Sequence, residues 1–399
     1  METTTYKLGE VLDNFDYLRK PLSSMERASF QGEYPYYGAQ GIIDYVREYR
    51  CDGTYMLIAE DGENLSSRKE PIALIAKGKF WVNNHAHIVK TNELADLNYI
   101  CYLLNHSDIA GYITGSAQPK LSQGNLNKIK ISLPSLPLQR RIASILSSYD
   151  NLIEANSRRI KILEQMAENL YKEWFVRFRF PNYQNTPIEN GIPKGWKVER
   201  LKDFGITLTS GSRPKGGIDA NLEEGVPSLG AESIKGLAEF DYSSVKLVPQ
   251  EFYCQMRRGK NTGNDILLYK DGAYIGKTTL FRDGFPFKTY SINEHVFIIS
   301  PIDQEYKNYL YFTLHQEAFF YLMQNLNRNA AQPGLSNNDI NNIKVMIPNK
   351  ELIAQYNLHV EPILKEIFKL AHQSANLTRQ RDLLLPRLMS GQLTPLTNQ

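Results

Sequence analysis

The chain has 399 residues, 42% hydrophobic and 22% charged, which excludes intrinsic disorder and leaves room for two or three domains with cores of their own. Its 46 basic and 43 acidic residues give a net charge of +3, which neither demands nor excludes nucleic acid, and no apolar run is long enough to span a bilayer. The first residues, Met1-Glu-Thr-Thr-Thr-Tyr-Lys7, lack a signal-peptide hydrophobic run; Cys51, Cys101 and Cys254, odd in number and without CxxC spacing, read as reduced thiols packed in the core of a cytoplasmic protein.

Residues 1–135 alternate short apolar runs (Tyr55–Ala59, Pro71–Ile75, His87–Val89) with the turn signals Asp52-Gly53, Asp61-Gly62 and Lys77-Gly78, which predicts a β-rich domain with a helix over Leu97–Asn105 packed on its sheet. Residues 136–180 change character. Ile142, Ile145, Tyr149, Leu152, Asn156, Ile160, Leu163, Ala167, Leu170 and Trp174 follow at three- and four-residue steps, with Pro137 suited to a first helical turn and Pro181 beyond the end. Such a helix is roughly 55–60 Å long. A Pro-, Asn- and Gly-rich connector, 181–195, opens a second β-rich domain, 181–348, with strands over Asp265–Tyr269 and His295–Ile299 and a helix over Tyr306–Gln324. The segment 349–399 is a second long helix and tail: Val360, Ile363, Ile367, Leu370, Ser374, Leu377, Arg381, Leu384 and Leu388 form one stripe, with Asn349 as N-cap and Gly391 as stop. Neither stripe is stable in water, so the two helices are expected to pair as an antiparallel coiled coil. The polar seam residues Asn156, Ser374 and Arg381 either fix its register or lie on the helix surface.

The chain also repeats itself with a register of about 210 residues. Asp61-Gly62 recurs as Asp271-Gly272, Val82-Asn-Asn-His85 as Ile292-Asn-Glu-His295, and Gln118-Pro-Lys-Leu-Ser122 as Gln332-Pro-Gly-Leu-Ser336; each copy then reaches Leu133-Pro134 or Ile347-Pro348 and a long helix. A period this long marks a duplicated domain plus helix, not a solenoid unit. The expected fold is therefore α+β: two β-rich globular domains alternating with two paired long helices in an internal pseudo-two-fold duplication.

Catalytic motifs are scarce. Gly272-Ala-Tyr-Ile-Gly-Lys277-Thr278 resembles a phosphate loop, but its first glycine is one residue too close, Asp271 stands in the required position, and a poor helix follows. A Lys-tipped turn is the plainer reading. His85 and His87 lack further metal partners at ligand spacing, and no nucleophile elbow, HExxH or Cys-His arrangement is present, so no catalytic, cofactor or metal site is expected. What remains are loops rich in groups that read nucleic acid: Arg68, Lys69, Lys77, Lys79, Asn83, Asn84, Gln118 and Lys120 in the first domain, and Ser210, Arg213, Lys215, Lys277, Asn293, Arg328, Asn329 and Gln332 in the second. Arg and Lys can pair with guanine, Asn and Gln with adenine, and Ser and Lys with phosphates.

The order Gly195-Trp196-x4-Leu201, Ser210-Gly211-Ser212-x-Pro214, Asp271-Gly272-x3-Gly276-Lys277, Leu335-Ser336 and Ile347-Pro348, duplicated around two long helices, resembles the specificity subunit of type I restriction–modification systems over essentially the whole chain. The resemblance implies a non-catalytic subunit with two target-recognition domains, each reading one half of a split, asymmetric sequence in double-stranded DNA. It also implies a helical spacer that docks two adenine methyltransferase (modification) subunits, joined by restriction subunits, with S-adenosylmethionine, ATP and Mg2+ belonging to those partners. The first half departs from the pattern: it begins directly at Tyr6-Lys-Leu-Gly-Glu-Val11, lacks the Ser-Gly-Ser-x-Pro turn, and has Asp61-Gly-Glu-Asn64 where the second has its Gly-Lys loop. Two alternatives stand beside this one: an enzyme acting on nucleotides or DNA ends through the Gly272–Lys277 loop, and a coiled-coil adaptor whose end domains bind proteins.

Overall fold

A computed structural model describes residues 2–115, 118–326 and 334–395. The chain divides into two compact units, one formed by the residues up to Leu152 together with those from Leu377 onward, the other by Ile153–Asn376.

In the first unit six strands lie side by side in the order Leu12–Asn14, Ala86–Thr91, Cys51–Ala59, Ala73–Val82, Gln31–Gly38 and Gly41–Val46. Neighbours are antiparallel except for a short parallel pairing of Tyr36 and Tyr37 with Trp81 and Val82. Side chains alternate across the central strand. Met56 and Ile58 face one core with Val89, Ile100 and Leu104, while Tyr55 and Leu57 face another with Phe80 and Ile88. The helix Leu97–His106 covers the first of these faces, and Asp96 caps it by accepting from the Tyr99 N–H at 3.0 Å. Asp52-Gly53 and Lys77-Gly78, expected from their composition to be turns, are not. They lie opposite each other inside the long ladder, Gly53 against Gly78, both at positive φ, so the two glycines bend a continuous hairpin instead of ending its strands.

The second unit repeats this plan with one interruption. Ile206–Ser210, Val296–Pro301, Asn264–Tyr269 and Thr278–Arg282 form a four-stranded sheet. Leu247–Val248, Val226–Leu229 and Ser291–Ile292 form a three-stranded one, including a parallel pairing of Ser228 and Leu229 with Ser291 and Ile292. Where the first unit has the single strand Ala73–Val82, the second has Thr278–Arg282 and Ser291–Ile292, so residues 283–290 cut one sheet into two. The expected helix Tyr306–Gln324 is likewise two, Lys307–His315 and Glu317–Leu326. Gln316 takes an extended backbone (ψ 144°) and its carbonyl then accepts from Phe319 and Phe320, ending one helix and starting the next.

Both long helices form. The first runs Leu136–Tyr171 and continues as a π-turn, Lys172–Val176; the second runs Lys350–Met389. Asn349 accepts from the Leu352 N–H at 2.9 Å as expected of an N-cap, and Gly391, at φ 76°, follows the helix end. In the second unit Arg159 pairs with Glu366 and Trp174 packs on Tyr356, so residue numbers rise along one helix as they fall along the other. In the first unit Arg381 bonds Asp150 at 2.7 Å across the pair. The fold is thus α+β, with two β-rich domains alternating with two long helices paired as an antiparallel coiled coil. Arg381 belongs to the seam through Asp150, and Asn156 is buried. The stripe drifts at one place: Leu152 is 54% exposed, while Leu146, off the expected positions, is fully buried. The N-terminal end of this helix joins a globular core as well as a partner helix, so strict 3–4 counting misplaces its inner face. The cysteines also divide. Cys51 and Cys101 are buried, and Cys254 is exposed.

Lys307 is 2% exposed beside Ser300, and burial pushes its pKa down to about 8, opposed by the Asp265 carboxylate. Because the folded pKa lies below the unfolded value of 10.5, the destabilising effect of this charge is complete below about pH 8 and vanishes as pH rises toward 10.5. Lys307→Met should therefore raise the melting temperature at pH 7, with the gain over wild type shrinking between pH 8 and 10.5. A gain that does not change with pH would show that packing, not charge, is responsible.

Candidate nucleic-acid interface

The repeated motifs build the same loop frame twice. In the first unit the Glu60 N–H donates to the His85 carbonyl (2.9 Å), the Asp61 carboxylate meets His85 Nδ1 (2.8 Å), and Asn83 Oδ1 accepts from the His85 N–H (2.8 Å). The Leu121 N–H then reaches the Glu60 carbonyl (2.7 Å), and Ser122 caps the next helical turn. In the second unit Lys270 donates to the His295 carbonyl (3.0 Å), Asp271 meets His295 Nδ1 (3.2 Å), and Asn293 Oδ1 accepts from the His295 N–H (2.9 Å). Leu335 reaches the Lys270 carbonyl (3.0 Å), and Ser336 caps the following turn. Gly62 and Gly272 follow the two aspartates at φ 125° and 127°, a conformation that favours glycine. One framework of backbone bonds and an Asp–His clasp therefore presents the loops of both units.

What the frames carry differs. Glu60 is met by Arg19 (2.5 Å) and Lys120 (3.2 Å), whereas its counterpart is Lys270; Asn84 corresponds to Glu294, which pairs with Arg213 (2.8 Å). In the second unit three loops converge on glycine. A Cβ on Gly211 would lie 1.6 Å from the Ile292 carbonyl oxygen, and one on Gly259 would lie 2.5 Å from Gly211 Cα. The Ile292 N–H donates to the Gly259 carbonyl at 2.8 Å. These close approaches bring the Ser210–Arg213 and Arg257–Lys260 loops against Asn293–His295, so exposed Arg213, Arg257 and Arg258 come from neighbouring loops.

The residues expected to face DNA separate by environment. Lys77, Lys79, Asn84, Gln118, Lys120, Arg213 and Lys215 are exposed, and Ser210 and Lys277 half-buried. Lys79 lies over the Tyr49 ring and Lys277 over the Tyr274 ring, at 4.7 and 4.1 Å. Asn83 and Asn293 are buried, and their side-chain oxygens hold the histidine turn rather than facing outward. Arg68 turns inward too: at φ 54° its Nη2 donates to the carbonyls of Leu104, Asn105 and Ser107, closing the C-terminal end of the helix Leu97–His106. Arg328, Asn329 and Gln332 lie outside the described residues. Arg257 and Arg258 are legible in the sequence as the basic run Arg257-Arg-Gly-Lys260, whereas exposed Tyr45, Tyr49 and Tyr274 carry no such signal. Aromatic faces beside Lys or Arg are common on nucleic-acid surfaces but have no sequence spacing to betray them.

The two histidines of the first unit play different parts. His85 is exposed and clasps Asp61, while His87 is buried between Asp16 (2.7 Å) and the Leu121 carbonyl (3.0 Å), a satisfied core histidine. Asp16 remains below the usual carboxylate range; burial works against this, but hydrogen bonds from His87 and the Ile88 N–H outweigh it. The Gly272–Lys277 segment closes a hairpin between Asn264–Tyr269 and Thr278–Arg282, with Lys277 returning to Tyr269. A strand follows it where a phosphate loop needs a helix N-terminus, which removes the basis for a nucleotide-processing role.

Among known proteins, the chain is 27% identical over 354 residues to the MjaIX specificity subunit of a type I restriction enzyme from Methanocaldococcus jannaschii, covering 83% of this chain and 78% of that protein. It is 24% identical over 350 residues to the MjaVIII specificity subunit of the same organism, covering 84% and 79%. The crystal structure of a type I restriction–modification S subunit from M. genitalium has the same fold, with a TM-score of 0.62 at 16% identity over all of this chain and 97% of that one. The profile of the type I restriction modification DNA specificity domain matches twice, over residues 2–165 and 193–356, matches that together contain both loop frames and the start of each long helix. With both halves matched, the chain belongs to the type I restriction–modification DNA specificity family.

Proposed function

We propose that this chain is the non-catalytic, sequence-reading subunit of a type I restriction–modification complex, and that its two β-rich domains each read one half of a bipartite, asymmetric site in double-stranded DNA. The domains are assigned as 1–135 and 181–348, the latter including the 181–195 linker. Residues 136–180 and 349–399 form the spacer and the docking surface for two adenine methyltransferase subunits, with restriction subunits added to that core. S-adenosylmethionine, ATP and Mg2+ belong to those partners. The assembly works in the cytoplasm, where its DNA is, and no helix among the described residues is long and apolar enough to cross a membrane.

The observation that carries this reading is the duplicated Asp–His frame bearing unlike loops. One scaffold holds two readers in the same way, and their different side chains suit a target whose halves differ in sequence. Within the first domain the accessible candidates are Lys77, Lys79, Asn84, Gln118 and Lys120; within the second they are Ser210, Arg213, Lys215 and Lys277, joined by Arg257 and Arg258. Arg213 is offered as a base reader, its guanidinium now held by Glu294, and Lys277 as a phosphate contact.

Methylation mapping in cells carrying this chain and its methyltransferase tests the assignment. Arg213→Ala should relax discrimination at one position of one half-site by about 1–3 kcal/mol. Lys277→Ala should weaken binding to all sequences and lower the slope of log K against log salt by about 1. An unchanged methylome with unchanged DNA affinity in both variants would remove these residues from the interface. DNA binding absent at any salt, even with the methyltransferase present, would favour a protein-binding adaptor instead.

A further inference from the structure

The first long helix carries Glu164 and Glu168 one turn apart, and both face the end of the helix Lys307–His315. Glu168 Oε1 lies 3.9 Å from His315 Nε2, and one ligand atom from each of Glu164, Glu168 and His315 falls within 4.8 Å of the others. Beneath them, Tyr311 is fully buried with its ring stacked on His315 at 5.2 Å, and its hydroxyl makes no hydrogen bond among the described residues. That phenol is close enough to both carboxylates for them to raise its pKa further, beyond the effect of burial. A buried hydroxyl without a partner is costly and calls for a ligand or water in the space it faces.

We propose that Glu164, Glu168 and His315 bind a divalent transition-metal ion of the Zn2+ class, with Tyr311 hydrogen-bonding a water in the fourth position. Imidazole nitrogen and carboxylate oxygen are both donors that Zn2+ accepts, and three protein ligands leave one place for solvent. The imidazole and one carboxylate are already oriented by neighbouring side chains. His315 Nδ1 lies 3.0 Å from Thr278 Oγ1, which fixes the ring and directs Nε2 toward the carboxylates, and Lys172 holds the other oxygen of Glu168 at 3.3 Å. Burial lowers the pKa of His315, which favours the neutral imidazole a metal needs. Carboxylates crowd the other side: burial, Glu168 and then Glu239 push Glu164 up to about 7, against weaker relief from the Leu237 N–H and Lys161. A tetrahedral site needs its donors about 3.4 Å apart, so the half-buried glutamates must close by roughly an ångström, which their three torsions permit. The ion would fasten the first long helix to the helix Lys307–His315 and, through Thr278, to the sheet. It has no part in reading DNA and stands apart from that proposal.

The test uses the full-length, tag-free chain stripped with EDTA and titrated with ZnCl2 by calorimetry and with CoCl2 by visible absorption. One ion per chain is expected, together with a tetrahedral Co2+ spectrum and a Zn2+-dependent rise in melting temperature. Glu168→Gln and His315→Gln, checked for folding by circular dichroism, should each lose more affinity than the roughly 10–100-fold typical of an outer-shell partner, while Tyr311→Phe should fall within that range. Absence of stoichiometric binding, or binding that survives Glu168→Gln and His315→Gln with wild-type affinity, overturns the proposal. If either variant misfolds, Glu164→Gln, which keeps the side-chain shape and leaves His315 in place, gives the same decision.

Discussion

Removing one heptad from each long helix is expected to shorten the gap between the two half-sites by about three base pairs and to leave the half-sites themselves unchanged. Each helix starts in one compact unit and ends in the other, the first passing from Leu152 to Ile153 and the second from Asn376 to Leu377. Seven helical residues rise about 10.5 Å, close to three base-pair steps of 3.4 Å. A seven-residue deletion is chosen because it preserves the phase of a coiled-coil seam, where six or eight would rotate the inner face outward. Excising Asn151–Ser157 and Ser374–Gln380 keeps Asp150 opposite Arg381 and Arg159 opposite Glu366, so the remaining ion pairs still define the register. Methylation mapping reads both quantities at once. Methylation that persists at the original spacing would show that the helices do not set the distance, and a changed base preference in either half would show that they bear on reading as well.

The repeat at about 210 residues revealed the duplication because sequence identity survives where backbone bonds leave no alternative. Asp61 and Asp271 must clasp a histidine, and Asn83 and Asn293 must accept from the next turn, so these positions recur. The same constraint explains why those asparagines are buried against the histidine turn: repetition marks structural duty, whereas the readers should be what differs between copies. The inward turn of Arg68 has another cause. Nothing in its neighbours announces a left-handed residue whose guanidinium folds back on a helix end 36 residues or more away. Gly53 and Gly78 look like turns individually and become a bent ladder only once paired, which local sequence does not encode. The Glu164–Glu168–His315 group was invisible because its third member comes from a distant helix. By contrast, the helix limits at Asn349 and Gly391 were legible, since caps act within one turn of the chain.

Arg282→Met is expected to be the most destabilising single substitution at the junction between the second β-rich domain and its helix. Arg282 is 7% exposed and makes two parallel bonds to Glu361 of the second long helix, Nη1 to Oε2 at 2.9 Å and Nη2 to Oε1 at 2.6 Å. Its Nε also reaches Asp283. The hydrogen bonds and charge of Arg282 hold the Glu361 pKa down, and Asn308 adds a bond at 3.1 Å. Removing the guanidinium leaves a carboxylate, 31% exposed, with only Asn308 and the more distant Lys365 as partners among the described residues. A fully buried pair broken this way costs about 3–5 kcal/mol, and the partial exposure of Glu361 reduces the expectation to about 2–4 kcal/mol. Replacing both partners, as in Arg282→Met with Glu361→Leu, removes the stranded charge along with the pair and should recover most of that loss. Denaturant unfolding of the two single variants and the double variant separates the terms. If the double variant is as unstable as Arg282→Met alone, the pair acts by fixing the geometry of strand and helix rather than by neutralising a buried charge, because geometry is the one contribution a hydrophobic replacement cannot restore.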